Sequence, residues 1–457
     1  MKPKAPMPAL RRRRFRNWRT LASPAVMLMA VGIAAAEGRA APAAGDADSP
    51  AIPPAPARAN TNLLTLDNAI RLALANNPEL RASRGRVAAS AGRAYQARLW
   101  PNPQLTLGTE DVPVSGGSFR ESKNTIGLDQ RVPFPGKKKL DAQIGVAGVS
   151  LTQAEWALRR LGLVRDVKVA FYRVLAAQRL TDVGRELVQV AATSETTARK
   201  RVEAGAAADQ EQLRAEIQAA QARAELSGFE RDLATARQDL NLLLGSPDLP
   251  AATVFGDLTE APDRSLLGNP PERWLAQHPS AAAARAVRDR AEVELRRARL
   301  EPYPDVTFGV DGGREGTADT AIVQFRLGVP LPIIDRSKGR KQEARANADV
   351  AQAELAATEQ RLLREWGAAS ERFRAAADQV TIYREQILPK ATRALRLVQT
   401  GFEQGKFGFI DLLDTQRTTA EARLAYQQKL LELNAAQAEL EAFLEPQPQR
   451  FSTTRNN

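Results

Sequence analysis

"ARLWPNPQLTLGTE", Ala97 to Glu110, and "ARLEPYPDVTFGVD", Ala298 to Asp311, say the same thing about two hundred residues apart. Each runs Ala-Arg-Leu, then Pro-x-Pro, then alternation of apolar and polar residues. A helix that reaches Pro-x-Pro must stop, because the residue before proline is pushed out of the helical region. Alternation with period two is the mark of a strand with two unlike faces. Both segments therefore read as the place where a helix becomes a strand.

Other landmarks extend the repeat. Asn77-Pro78 matches His278-Pro279, "RVPFP" (Arg131–Pro135) matches "GVPLP" (Gly328–Pro332), and "RVEAG" (Arg201–Gly205) matches "GFEQG" (Gly401–Gly405). A near-constant offset of about 200 residues is a duplicated domain rather than a short solenoid repeat. Repeat unit 1 spans 62–250 and repeat unit 2 spans 267–445, joined by a linker at 251–266 and followed by a tail at 446–457. Each unit reads helix, β-hairpin, long helix, turn, helix. The hairpins fall at about 103–132 and 304–330, turned by "VSGGSFRES" and "GGREGTAD". The opening helix of unit 1 is expected over Leu66–Leu99. In unit 2, Leu362, Trp366, Ala369, Phe373, Ala376, Val380, Tyr383 and Ile387 step by alternating fours and threes, a heptad seam. Gly339 to Gly401 then makes a helix on the order of 90 Å long at 1.5 Å per residue, with Pro389 a candidate kink.

The net charge is +12 over 457 residues. Residues 1–40 hold nine basic residues and one acid, a surplus of +8, which leaves +4 for everything else. No broad basic stripe remains, so no nucleic-acid partner is expected. The basic start leads into "LASPAVMLMAVGIAAA", Leu21–Ala36, and small residues, the layout of a signal peptide at 1–36 with cleavage after Ala36 or as late as Ala40. Arg12-Arg13-Arg14-Phe15 loosely matches a twin-arginine signal, but an ordinary secretory signal is preferred. A Pro/Ala-rich lead-in follows at 41–61. The apolar run at Leu21–Ala36 falls short of the ~20 residues of a membrane-spanning helix, and the sequence has no other long apolar stretch.

The chain has no Cys, and its four Met all precede residue 30. Disulfides, thiol nucleophiles and thiolate ligands are excluded. Its one His, His278, aligns with Asn77 and reads as a turn or capping residue. No catalytic motif stands out, and neither a cofactor nor a resident metal site is expected.

Four strands cannot close a barrel, and open edges invite pairing. Strands with one apolar face suit a membrane barrel, lipid outside and water inside. Ile126, Leu128, Val306, Phe308, Val323, Phe325 and Leu327 are the expected lipid-facing set. Trp100 and Tyr303 suit either the aromatic level of a membrane interface or a simple helix-capping pack, and Lys137, Lys138 and Lys139 either a contact with phospholipid headgroups or a solvated, charged helix start.

The duplicated unit, "LTLDNAIRLALANNPELRASRG", the two Pro-x-Pro hairpins, "VPFPGKKK", "VPLPIIDRSKGR" and "GFEQGKFGFIDLLDTQRT" together resemble the TolC-type outer-membrane efflux channels, over residues 62–445. "PLPIIDRSKGR" is most similar to their heavy-metal branch, the outer-membrane component of cobalt–zinc–cadmium exporters. The resemblance implies a mixed α and β fold: a long α-helical coiled-coil barrel plus a membrane β-barrel shared by a homotrimer. It implies a location in the outer membrane of a Gram-negative bacterium, reaching into the periplasm. The implied partners are a periplasmic adaptor (membrane fusion) protein, an inner-membrane RND transporter and outer-membrane lipids. It places Asp411 and Asp414 at a periplasmic tip constriction, and Gly205, Gly405, Phe407 and Gly408 on tip turns that contact the adaptor. The residues alone also allow a solvated acidic helix start at Asp411 and Asp414. The Ala-rich turn of unit 1 departs from the family's pattern. A passive exit duct for divalent metals is the leading expectation. The same channel exporting organic compounds or a protein, and a periplasmic coiled-coil scaffold without a pore, are the alternatives.

Overall fold

A computed structural model describes residues 63–112, 122–246, 253–316 and 320–444. The signal peptide, the lead-in, most of the first hairpin turn and the C-terminal tail lie outside the described residues. All that is described belongs to one compact unit, residues 60–457.

The opening helix of unit 1 is two helices rather than one. α1 (Leu66–Asn76) ends at Asn77, and α2 (Pro78–Arg98) begins at the proline. Pro78 has no N–H to continue the ladder, but at the first helical position none is needed. The Asn77 side chain accepts from the N–H groups of Glu79 and Leu80, both at 3.0 Å. Unit 2 repeats the arrangement: α5 (Pro271–Trp274) precedes His278, whose imidazole Nδ1 accepts from Ser280 N at 3.2 Å and caps α6 (Pro279–Arg299). His278 is thus a helix cap.

α2 leads to the hairpin β2 (Gln104–Glu110) and β3 (Lys123–Val132), and α6 leads to β5 (Val306–Glu315) and β6 (Thr320–Gly328). The four strands form one antiparallel sheet in the order β2-β3-β5-β6. The two hairpins, from different units, meet at β3–β5 over nine residue pairs from Asn124↔Arg314 to Val132↔Val306.

Each hairpin returns into a long helix. α3 (Lys137–Glu203) has 67 residues, about 100 Å at 1.5 Å per residue. In unit 2 the corresponding rod is α7 (Lys338–Ile382), a π-helical turn at Tyr383–Ile387, and α8 (Leu388–Glu403). The π turn has a cause. Pro389 cannot donate to the carbonyl four residues back, and the ladder absorbs this by an extra residue per turn just before it, with Leu388 N–H reaching Tyr383 O. α4 (Asp209–Leu243) and α9 (Phe409–Leu444) run back from the tips.

The core lies where these rods cross α1 and α5. The heptad seam supplies Leu362, Trp366, Ala369, Phe373, Ala376 and Val380, packed with Phe171 and Val174 of α3, Leu240 of α4, and Tyr426, Leu430, Leu433 and Leu440 of α9. The segment between units is pinned to this core. β4 (Thr253–Val254) pairs in parallel with β1 (Leu63–Leu64). The buried Asn434 side chain donates to Thr259 O at 3.1 Å and accepts from Thr259 N at 3.0 Å, satisfying a stretch of backbone that has no ladder of its own.

Candidate functional site

The sheet has two unlike faces. On one, cross-strand rows are apolar: Leu105–Leu128–Val310–Phe325, then Leu107–Ile126–Gly312–Val323, with Phe308 beside Leu327. These side chains are bare in a single chain, Phe325 at 81% exposure and Leu107 at 74%. Ile126, Leu128, Phe308, Val323 and Leu327 are exposed with them, and Val306 is half-buried at the strand base. A continuous exposed apolar face of this size marks a surface meant for a nonaqueous partner.

The other face is polar and internally bonded. Arg326 on β6 reaches Asp311 Oδ1 at 2.8 Å and Asp129 Oδ2 at 3.0 Å, and Thr106 Oγ1 donates to Asp129 at 2.7 Å. Room for the carboxylates comes from glycine directly across the strand pair. Asp129 faces Gly309 and Asp311 faces Gly127, and a Cβ on Gly127 would overlap Asp311 Oδ1. Sequence reasoning missed this trio. The signal was present in the Gly-x-Asp of β3 (Gly127, Asp129) and of β5 (Gly309, Asp311), which an antiparallel pairing brings into reciprocal register.

Below the sheet the units are tied by Asp305. Its carboxylate accepts from Phe134 N at 3.0 Å, Lys137 Nζ at 2.9 Å and Arg131 Nη2 at 2.6 Å. Burial alone would raise this carboxyl, but those three donors outweigh it and hold it at about 2. The reading of three outward lysines is corrected here. Lys137 is buried on Asp305, Lys138 is half-buried and Lys139 alone is exposed. Cation and helix start are reconciled by that carboxylate, which offsets the unfavourable dipole. Trp100 is exposed, and Tyr303 is half exposed with one face stacked on Phe134 at 4.8 Å between centroids.

At the opposite ends of the rods, α3 turns into α4 and α8 into α9. Both turns have one backbone design. Gly205 (φ 69°) and Gly405 (φ 71°) take the left-handed conformation. Ala206 N–H reaches Arg201 O at 2.8 Å, and Lys406 N–H reaches Gly401 O at 2.7 Å, the Schellman closure that favours glycine. The side chains differ. In unit 2, the Phe407 ring folds back over Gly401, where a Cβ would collide with Phe407 Cδ2. Phe409 and Leu412 pack with Ala198 and Ala215 of unit 1, and the Arg201 guanidinium lies 5.1 Å above the Phe402 ring. Asp411 Oδ2 accepts from Gly408 N at 2.9 Å, closing the first turn of α9. Asp411 and Asp414 are both exposed, and Asp414 joins Arg214, Ile217, Ile410 and Arg417 along a groove of about 730 Å³ between α3, α4 and α9. Gly405, Phe407, Gly408 and Asp411 are thus brought together, while Gly205 sits on the neighbouring turn.

Among the described residues no group of three or more His, Asp or Glu side chains is placed to hold a metal ion, and no helix is long and apolar enough to cross a membrane.

The model of the outer membrane efflux protein family matches residues 69–246 and 271–444, one match per repeat unit. The chain belongs to the outer membrane efflux protein family. It is 32% identical over 368 residues to the cobalt-zinc-cadmium resistance protein CzcC of Cupriavidus metallidurans, covering 79% of this chain and 85% of that one. It is 25% identical over 399 residues to the pyoverdine export outer membrane protein OpmQ of Pseudomonas putida, 82% of this chain and 83% of that one. Among solved structures, CusC superposes with a TM-score of 0.72 at 17% identity (83% of this chain, 92% of that). The outer-membrane channel OprN gives 0.71 at 17% (83% and 89%). The expected fold, a duplicated TolC-type channel subunit of long helices and one small antiparallel sheet, is the fold observed.

Proposed function

We propose that this family member is the outer-membrane exit duct of a tripartite system. Three copies would close their sheets into one twelve-stranded barrel and their rods into a tunnel, docking a periplasmic adaptor and an inner-membrane RND transporter. The observation that carries this is a sheet with an exposed apolar face, a bonded polar face and two free edges, β2 and β6, at the end of ~100 Å helices. A pore-less scaffold has no use for such a sheet. Ile126, Leu128, Val306, Phe308, Val323, Phe325 and Leu327 would face lipid. Trp100 and Tyr303 would lie at the interface, with Lys138 and Lys139 toward the headgroups. At the tips, Gly205, Gly405, Phe407 and Gly408 would meet the adaptor. Asp411 and Asp414, repeated by three, would ring the constriction with negative charge that attracts cations.

Divalent heavy-metal cations are the proposed cargo. The support is the likeness to a cobalt-zinc-cadmium resistance protein at 32% identity. Few soft ligands are needed: a duct that passes ions should not retain them. The test deletes the gene in its host and titrates growth against zinc, cobalt, cadmium, nickel and copper salts, with siderophores, dyes and detergents alongside. Sensitivity confined to divalent metals and restored by the intact gene is the expected result. Sensitivity to organic compounds alone would keep the duct and reject the metal cargo.

A further inference from the structure

The loop after β6 is bare. Leu331 is 71% exposed, Ile333 70% and Ile334 98%. Four apolar residues within six, counting Val329, are not a solvated turn. The duplication indicates what covers them.

The counterpart loop in unit 1, Val132–Gly136, is covered within the chain. Phe134 stacks on Tyr303, its N–H donates to Asp305, and Leu300 lies against Gly136. The cover is thus the Leu300–Asp305 segment, the Pro-x-Pro entrance to β5, delivered because β5 lies beside β3. The matching entrance in unit 1 is Leu99–Gln104, leading into β2. It cannot reach the unit 2 loop in its own chain, because β2 and β6 are the opposite edges of the sheet. Most of its side chains are bare too: Trp100 is 58% exposed and Leu99 and Asn102 are exposed, while Pro101 is half-buried and its carbonyl accepts from Gln130 Nε2 at 3.0 Å. A second chain whose β2 lies beside β6 brings the two bare segments together.

We propose that Leu331, Ile333 and Ile334 pack on the Leu99–Gln104 segment of a second copy of this chain. The proposal rests on the homotrimer above and adds which residues make its junction and by what chemistry. The two kinds of junction differ. The one inside the chain is ionic, built on Asp305 with Arg131 and Lys137. Between chains the matching positions are Gln104 for Asp305, Gly328 for Arg131 and Leu331 for Phe134, so the contact is apolar, with Trp100 against the isoleucines. The occupant is therefore another copy rather than lipid or adaptor: it alone restores the arrangement that the unit 1 loop already shows.

The chain has no cysteine, so single thiols report cleanly. The full chain carrying Ile334→Cys is purified in detergent, its mass is measured by light scattering, and its reaction with a maleimide is timed before and after denaturation. The expected result is a trimer whose thiol reacts about ten-fold more slowly when native, thiol reactivity following exposure. Leu331→Cys with Asn102→Cys, treated with a short bismaleimide, should give covalent dimers and trimers. Ile333→Cys with Trp100→Cys serves if the first pair does not fold. A trimer of the Ile334→Cys chain whose thiol reacts at the denatured rate overturns the junction and leaves the trimer standing. Protection without an intersubunit product means that lipid or detergent covers the loop, and also overturns it. A monomer with a reactive thiol overturns the trimer and the junction with it.

Discussion

Replacing His278 by Asn should remove a pH dependence without removing a helix cap. In the folded chain the imidazole is buried between Trp274 and Phe443, with ring centroids at 6.2 and 5.8 Å, and its Nδ1 accepts from Ser280 N. Burial lowers its pKa from 6.5 to about 4. A depressed pKa means the unfolded chain takes up the proton first. The neutral imidazole therefore contributes in full above pH 6.5, and that contribution drains away as pH falls toward 4. From those two values about 2 kcal/mol per chain is lost between pH 7 and pH 5, and about 3 kcal/mol by pH 4. Asn77 shows that an Asn cap fits the same helix start in unit 1. The assay compares urea unfolding midpoints of the wild type and His278→Asn at pH 7, 6 and 5. The variant should start less stable, having lost the ring's packing, yet fall less with pH by about 2 kcal/mol. Because the chain has one His, its imidazole resonance can be titrated directly. Parallel losses in both proteins, or a resonance that titrates near 6.5, would refute the reasoning.

Asp305→Ala strands Lys137 and should destabilise the chain by roughly 3–5 kcal/mol, as losing one partner of a buried pair does. Its depressed carboxyl implies that wild type keeps this contribution above pH 3.8 and loses it as pH falls toward 2, which acid unfolding with and without the substitution will show. Leu107→Arg, midway along β2 on the apolar face, should cost about 2–4 kcal/mol of the proposed barrel's stability, seen as less heat-resistant oligomer on gels. Gly401→Ala should destabilise with Phe407 present and stabilise by up to ~1 kcal/mol in a Phe407→Ala background, a double-mutant cycle read by chemical unfolding.

The architecture was legible because it is written twice and obeys simple periods. The helix-to-strand switches at Pro101 and Pro302, the alternation of the four strands, and the heptad seam from Leu362 to Val380 are local or regular signals. The break of the first helix at Asn77 was legible in principle, since proline at a first helical position with Asn before it is a helix start. It was overridden by the apolar periodicity on either side. What sequence could not supply was anything set by cross-unit register. Lys137 reads as one of three equivalent lysines until β3–β5 pairing puts Asp305 beneath it. Arg326 sits 197 residues from Asp129, and only the sheet order joins them.

The tips show how far duplication constrains function. Backbone chemistry was kept in both, because a sharp reversal between two long helices needs a left-handed residue, and Gly205 and Gly405 supply it with the same hydrogen bonds. Side-chain chemistry was not kept. Unit 2 has Gly401 under a Phe407 ring and a capping bond from Asp411. Unit 1 has Arg201 and Ala207 at the matching places, and α4 starts on Ala208 without any side-chain cap. Arg201, freed from holding a ring, instead lies on Phe402 of the other tip. The turn of unit 2 is therefore the aromatic one, with its helix start closed by an acid, and unit 1 braces it. A charge change at Asp414 should then alter passage more than one at Asp209, although both lie within the first two turns of a returning helix. Equal effects on cation conductance in planar bilayers would mean that the asymmetry of the tips is structural only.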